Sequence, residues 1–287
     1  MADRPSPVRL TGDVRPPDYF HFVERDEIDW EVWTDVLKGR VAGAVFRGVM
    51  PPDVCERIRR NFWSSPILER PAAGTSRNGH TCGAPLLGST GLDQYLEVAE
   101  QARAAIDDLF ADTGDRAVPA LLGLYREHLE RQGVRFRLAE HRGRRAGSFK
   151  MRSRENSGPF QLAPHDDAEP LRHAPHLDGF EVQRAEHICG AVACVENGPG
   201  GDLVVWNISP DPESRRALGF GYDSKGYPVE SLDAFPKLTV PVSAGDIVVF
   251  DVGNVHAVGR KEQDGTYRST IQWNMSFLDA TTVLQWS

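Results

Sequence analysis

The sequence predicts an α+β chain in which a helical N-terminal half buttresses a C-terminal antiparallel barrel or jelly roll, and two patterns carry the prediction. Up to about residue 133, apolar residues recur at helical spacing. From about residue 134 the texture changes to short β-rich runs separated by turns. At 287 residues the chain is long enough to bury a substantial core. No internal repeat or linker divides it, so a single domain over 18–287 is expected, with helical support at 18–133 and the β core at 134–287. Residues 1–17, rich in Pro and Arg with little to bury, are expected to form a flexible arm.

In the helical half, "ERDEIDWEVWTDVLKG" places Ile28, Trp30, Trp33, Val36 and Leu37 on one helical stripe suited to covering a sheet. "GAVFRGVM" reads as a short strand. "PPDVCERIRRNFWSS" follows as a helix that starts on Pro, where the missing N–H costs least. The stretch 75–91, "TSRNGHTCGAPLLGSTG", is dense in Gly, Ser and Thr and reads as a long loop of the kind that often forms a lid. Two more helices follow, "DQYLEVAEQARAAIDDLF" and "ALLGLYREHLERQG", the second closing on a Gly suited to a C-cap. Eight β-rich runs make up the rest: "VRFRLAEH", "GSFKMRSR", "HICGAVACVE", "GDLVVWN", "KLTVPV", "DIVVFDV", "AVGRK" and "YRSTIQWNMSF".

A net charge of −8 argues against nucleic acid or an anionic membrane as a partner, although the basic run "HRGRRAGSFKMRSR" (141–154) could hold an anion. With no apolar leader and no run approaching 18 apolar residues, a cytoplasmic location is expected. Cys55, Cys82, Cys189 and Cys194 lack CxxC spacing and read as packed thiols; Cys189 and Cys194, five apart in a strand, should point to opposite faces.

"APHDDAEP" (163–170) raises the possibility of a metal site. His165 and Asp167 are two apart, so on an extended segment they face the same side. Nine histidines and 41 acidic residues would give about one H-x-[DE] pair by chance, and the chain has three. His128/Glu130 falls in a helix, where i and i+2 diverge; His176/Asp178 remains a rival. His256, after the apolar strand "DIVVF" and a Gly-Asn turn, would sit at a strand mouth. Two His and one carboxylate leave coordination positions open, the arrangement of non-haem Fe(II) oxygenases. Twelve residues on, Arg268 shares a strand face with Thr270 and Asn274. A guanidinium fork with a neighbouring hydroxyl suits a carboxylate.

The ordered set H-x-D, "GPGGDLVVWN", "AGDIVVF…NVHAV" and R-x-T resembles the Fe(II)/2-oxoglutarate-dependent dioxygenase superfamily across 134–278, and "FRGVMPPDVCERIRRNF" extends the likeness upstream. "PHDD", "GFEVQ" and "NGPGGDLVVWN" are similar to bacterial biosynthetic amino-acid hydroxylases and halogenases. This likeness favours His165/Asp167 over His176/Asp178 and makes Asp166 a bystander. It implies a double-stranded β-helix (jelly-roll, cupin-like) core. It also implies Fe(II) held by His165, Asp167 and His256, 2-oxoglutarate anchored by Arg268 and Thr270, O2 as oxidant and ascorbate as a candidate stimulant. In related halogenases a small residue replaces the carboxylate to admit chloride, so the retained Asp167 implies hydroxylation; desaturation, cyclisation or epimerisation by the same chemistry stays open.

By that analogy the partner is a small polar metabolite, an amino acid or derivative. Arg77, His80, Arg152, Arg154, Trp206 and Asn274 are candidates for touching it, and Trp273 is a further candidate for the cavity wall. Competing readings are a non-catalytic cupin-like binding module, which has no need of a dicarboxylate anchor, a peptide hydroxylase with an open groove, and a zinc hydrolase, for which H-E-x-x-H is missing.

Overall fold

Helices form where the apolar stripes predict them, in a computed structural model that describes residues 9–70, 79–156, 158–220 and 226–287. Asp29 caps α1 (Trp30–Leu37) by accepting from the N–H groups of Glu31 and Val32, and the helix buries Trp33, Val36 and Leu37. α2 (Pro52–Trp63) opens on its proline and buries Val54, Cys55, Ile58 and Phe62. α3 (Leu92–Asp108) and α4 (Val118–Arg131) follow, and Gly133 just beyond α4 has φ +75, the left-handed cap that glycine supplies without strain. Two shorter helices, α5 (Ala168–His173) and α6 (Pro212–Ala217), lie in the C-terminal half.

In chain order the strands are β1 (Gly12–Asp13), β2 (Phe22–Arg25), β3 (Gly43–Phe46), β4 (Gly79–Cys82), β5 (Arg135–Leu138), β6 (Glu140–His141), β7 (Arg144–Arg145), β8 (Lys150–Arg154) and β9 (Phe160–His165), continuing with β10 (Cys189–Glu196), β11 (Leu203–Trp206), β12 (Ser209–Pro210), β13 (Lys237–Val240), β14 (Ile247–Asp251), β15 (His256–Gly259), β16 (Arg268–Asp279) and β17 (Thr282–Trp286). They build a large sheet ordered β2-β3-β14-β10-β16-β17-β5, which β8 and β4 join through β16. A second sheet, ordered β13-β11-β15-β9, packs against it, giving the double-sheet jelly roll. The twelve-residue β16 pairs with β10 on one side; on the other it pairs with β8 through its first half and with β17 through its second.

Strand alternation sorts the large sheet into two faces. Ala191 and Ala193 of β10, Ile247 and Val249 of β14, and Ile271, Trp273 and Met275 of β16 pack beneath the helices with Trp33, Ile58 and Leu129. Val248 and Phe250 face the second sheet, where Leu203 and Val205 meet them. Cys189 falls in the first cluster and Cys194 in the second, as their spacing predicts, and all four cysteines are free and buried.

Three expectations need correction. The stretch read as an arm is held down from Leu10 onward: Leu10 is buried, β1 pairs with β12, and the Thr11 N–H donates to Ser214 Oγ at 2.7 Å. Residues 1–8 lie outside the described residues. The 75–91 stretch is not all loop, since β4 adds a strand to the edge of β8. β9 and β17 were not among the eight expected runs; β9 ends in Pro164 and His165, and two prolines around it hid its β character.

Candidate metal centre

His165 closes β9 and His256 opens β15, and the two are direct register partners with ring centroids 4.2 Å apart. Asp167 follows two residues after His165. One ligand atom from each of the three lies within 4.8 Å of the others. The Nδ1 of His165 lies 2.8 Å from the Ala163 carbonyl and that of His256 lies 3.0 Å from the Asn254 carbonyl. A carbonyl only accepts, so each Nδ1 carries the proton and each Nε2 keeps its lone pair for a cation. Two imidazole lone pairs and a carboxylate are the donor set that suits a divalent first-row metal with open positions. The residues therefore fit such an ion.

Two adjacent carboxylates divide the work. Asp167 starts α5 but makes no capping bond, which leaves its oxygens for the cavity. Asp166 does the capping: its Oδ1 accepts from the Glu169 N–H at 3.0 Å, while its Oδ2 accepts from Tyr227 Oη at 2.7 Å and Arg215 Nη1 at 2.8 Å. The expectation that Asp166 is a bystander is corrected in this sense: it is no member of the ligand cluster, yet it is fully buried and ties the H-x-D turn to distant segments. Burial pushes its carboxyl up, and Arg215 and Tyr227 pull it back.

Burial also pushes His256 down to about 4, with His165 adding to the effect. Burial works against ionised Asp167, but His165, His256, Lys150 and Arg152 outweigh it and hold the carboxyl below its ordinary range. Asp167 and His256 are thus held in the deprotonated forms that a cation needs at neutral pH.

The three groups open into a cavity of about 470 Å³ between the sheets, a volume suited to small molecules. Its wall is divided. Leu162, Val192, Val248, Phe250 and Val258 supply an apolar part, and β8 and β16 supply a polar one. Along β16, Arg268, Gln272 and Asn274 border the cavity. Arg268 is 7% exposed and its Nε has no hydrogen-bond partner. Thr270 lines a narrow adjoining recess with Arg152, Arg154, Gln161, Val258 and Arg268, and its Oγ1 accepts from Gln272 Nε2 at 2.9 Å.

Of the further residues singled out by sequence, Arg152, Arg154 and Asn274 border the cavity. His80 does not: opposite Ser153 in the β4–β8 register, it turns to the other face and lies edge-on to Trp63 at 4.8 Å. Trp206 is also misplaced by the expectation. Leu203 and Val205 take the inward positions of β11, so Trp206 points outward into a cluster with Leu10, Ile208 and Tyr227. Trp273 borders the cavity but is packed in the helix-side core between Trp33 and Phe149. Arg77 lies outside the described residues. The rival His176 and Asp178 sit exposed around a short 3-10 turn, away from the cluster. Lys150 and Gln272 were missed. Both carry the parity of residues that were named, and extending K-x-R-x-R and R-x-T-x-Q-x-N along their strands would have found them.

No family model matches the chain, and no curated protein matches it. Solved structures do. The epimerase SnoN, in complex with Fe3+, alpha-ketoglutarate and nogalamycin RO, is 17% identical with a TM-score of 0.50, over 86% of this chain and 85% of that one. HygX from Streptomyces hygroscopicus, with nickel and 2-oxoglutarate bound, is 13% identical with a TM-score of 0.47, over 86% of each chain. An N-substituted L-amino acid dioxygenase from Burkholderia ambifaria AMMD is 13% identical with a TM-score of 0.44, over 82% of this chain and 91% of that one. The likeness to SnoN shows the fold alone: this chain folds as that epimerase does.

Proposed function

We propose that this chain is an Fe(II)- and 2-oxoglutarate-dependent oxygenase that hydroxylates an unactivated C–H bond of a small polar, amino-acid-like metabolite in a biosynthetic pathway. One observation carries the reading: two imidazoles and a carboxylate converge within 4.8 Å at a cavity that also holds a buried guanidinium whose Nε is unpaired. His165, Asp167 and His256 would hold Fe(II); Arg268, with Thr270 beside it, would take the distal carboxylate of 2-oxoglutarate. When bound, this pair supplies O2-dependent oxidation in which the co-substrate is split to succinate and CO2 and one oxygen atom enters the C–H bond.

The chain's own residues supply placement and shielding. The backbone carbonyls of Ala163 and Asn254 fix the histidine tautomers, and Asp166 holds the turn that presents Asp167. Val192, Val248 and Phe250 exclude water from the side of the cavity where a C–H bond would rest. A passive binding barrel would gain nothing from a desolvated arginine, because burial lowers the affinity of Arg268 for its proton and an anion would restore it.

The test is anaerobic titration of the Fe(II)-loaded protein with 2-oxoglutarate, recorded in the visible range for the weak band of the chelate. Wild type should show the band, His165→Ala should lose it, and Arg268→Ala should need roughly tenfold or more 2-oxoglutarate, the loss typical of a buried charge-assisted contact. Iron binding with no band at any 2-oxoglutarate concentration would remove the oxygenase reading and leave a binding module.

A further inference from the structure

Arg268 and Thr270 share the recess beside the main cavity, and packing sets the place of each. Gly201 stands behind Arg268 with φ +71, and a Cβ there would come 3.3 Å from Arg268 Cδ and 3.4 Å from Lys261 Cγ. Glycine therefore lets the loop "GPGGD" lie close against the arginine stem. Thr270 is buried and β-branched, which restricts its χ1. What packing leaves open is the rotation of its O–H. A hydroxyl both donates and accepts, so a recess that is to hold a carboxylate needs that proton turned into it rather than away.

Gln272, two residues on and on the same strand face, supplies the direction. Its Nε2 donates to Thr270 Oγ1 at 2.9 Å, which occupies a lone pair and leaves the hydroxyl proton to donate elsewhere. Strand pairing favours this orientation of the amide. In the register of β8 with β16, Arg154 lies opposite Arg268, Arg152 opposite Thr270 and Lys150 opposite Gln272. The Lys150 amine donates, so the amide oxygen belongs on its side and the nitrogen on the side of Thr270. Gln272 borders the main cavity and Thr270 the recess, so the amide stands between the two. We infer that Gln272 is a positioning residue for the co-substrate: by donating to Thr270 it makes that hydroxyl a donor, which joins Arg268 on the distal carboxylate of 2-oxoglutarate. The inference rests on the oxygenase reading and deepens it. Other side chains of this length would not serve. Glutamate would accept the hydroxyl proton and turn it away from the recess, and methionine would leave it free to rotate.

The test is anaerobic titration of the Fe(II)-loaded protein with 2-oxoglutarate and with 2-oxobutyrate, which has the same chelating end and no distal carboxylate. Both are read by the chelate band, without turnover. Wild type should bind 2-oxoglutarate roughly tenfold or more tightly than 2-oxobutyrate. Gln272→Met should weaken 2-oxoglutarate roughly fivefold, the size of one hydrogen bond, and leave 2-oxobutyrate within about twofold. In a Thr270→Val background the same change should add less than about twofold, because the group it acts through is gone. Gln272→Glu should cost more than Gln272→Met, roughly tenfold or over. Unchanged 2-oxoglutarate affinity in either variant, equal weakening of the two 2-oxo acids, or full additivity with Thr270→Val would overturn the inference. If wild type gives the band and the Gln272 variants leave it unchanged, only the role of Gln272 falls. If wild type gives no band with 2-oxoglutarate, the oxygenase reading falls and takes this inference with it.

Discussion

The two faces of β16 are built from alternate residues of one strand, yet they obey opposite rules. Ile271, Trp273 and Met275 lie at most 1% exposed beneath the helices, where Trp273 stacks on Trp33 at 6.4 Å and meets Phe149 edge-on at 5.6 Å. Arg268, Thr270, Gln272 and Asn274 look the other way, into the cavity and its recess. The first face contributes to stability through dry packing. The second spends it, holding unpaired polar groups and like charges side by side, which a protein keeps where a ligand will satisfy them.

Damage to the cavity that one face borders and to the core that the other face builds should therefore separate cleanly. His165→Ala or Asp167→Ala should lower Fe(II) affinity by more than about 100-fold, beyond what changes to outer partners of metal ligands cost, while thermal unfolding of the metal-free protein stays near wild type. Metal titration beside calorimetric unfolding reads both. Trp273→Ala should do the reverse, costing about 3–5 kcal/mol in denaturant unfolding with metal affinity preserved in the folded fraction. Asp166→Asn tests the link between turn and core. Removing the buried carboxylate that Arg215, Tyr227 and the Glu169 N–H share should cost about 1–3 kcal/mol, and if unfolding is unchanged, Asp166 is a bystander after all.

A smaller effect sharpens the comparison through pH. The folded state depresses Lys150 to about 7 from its ordinary value near 10.5, so between those values the unfolded chain binds more protons than the folded one. Stability of the metal-free protein should rise with pH across that window and fall as pH drops toward 7; Lys150→Met should flatten the rise. Equal slopes in the two proteins would refute a desolvated Lys150. Smallest of all, His176→Ala, at an exposed turn, should leave metal affinity within about twofold and stability within about 0.5 kcal/mol.

How much of this was readable beforehand depends on the range of the interaction involved. Period-two alternation is local, so the grouping of Arg268 with Thr270 and Asn274, the opposite faces of Cys189 and Cys194, and the shared side of His165 and Asp167 could all be read from the chain. Helical stripes and the proline and glycine at helix ends were equally local.

Alternation alone does not say which side is inside. His80 was placed with the cavity because it sits in a Gly-rich stretch, but the β4–β8 pairing turns it toward Trp63. Trp206 was a plausible wall residue until β11 gave its inward positions to Leu203 and Val205. Asp166 looked idle because Arg215 and Tyr227 stand 49 and 61 residues away. The sequence by itself determined the ligand types, their spacing and the parity of each strand, since these need only neighbouring residues. The tertiary structure alone decided which parity faced the cavity, that Lys150 joined Arg152 and Arg154 there, and that Asp166 would anchor what Asp167 presents, because each of those depends on sheet partners brought together from distant parts of the chain.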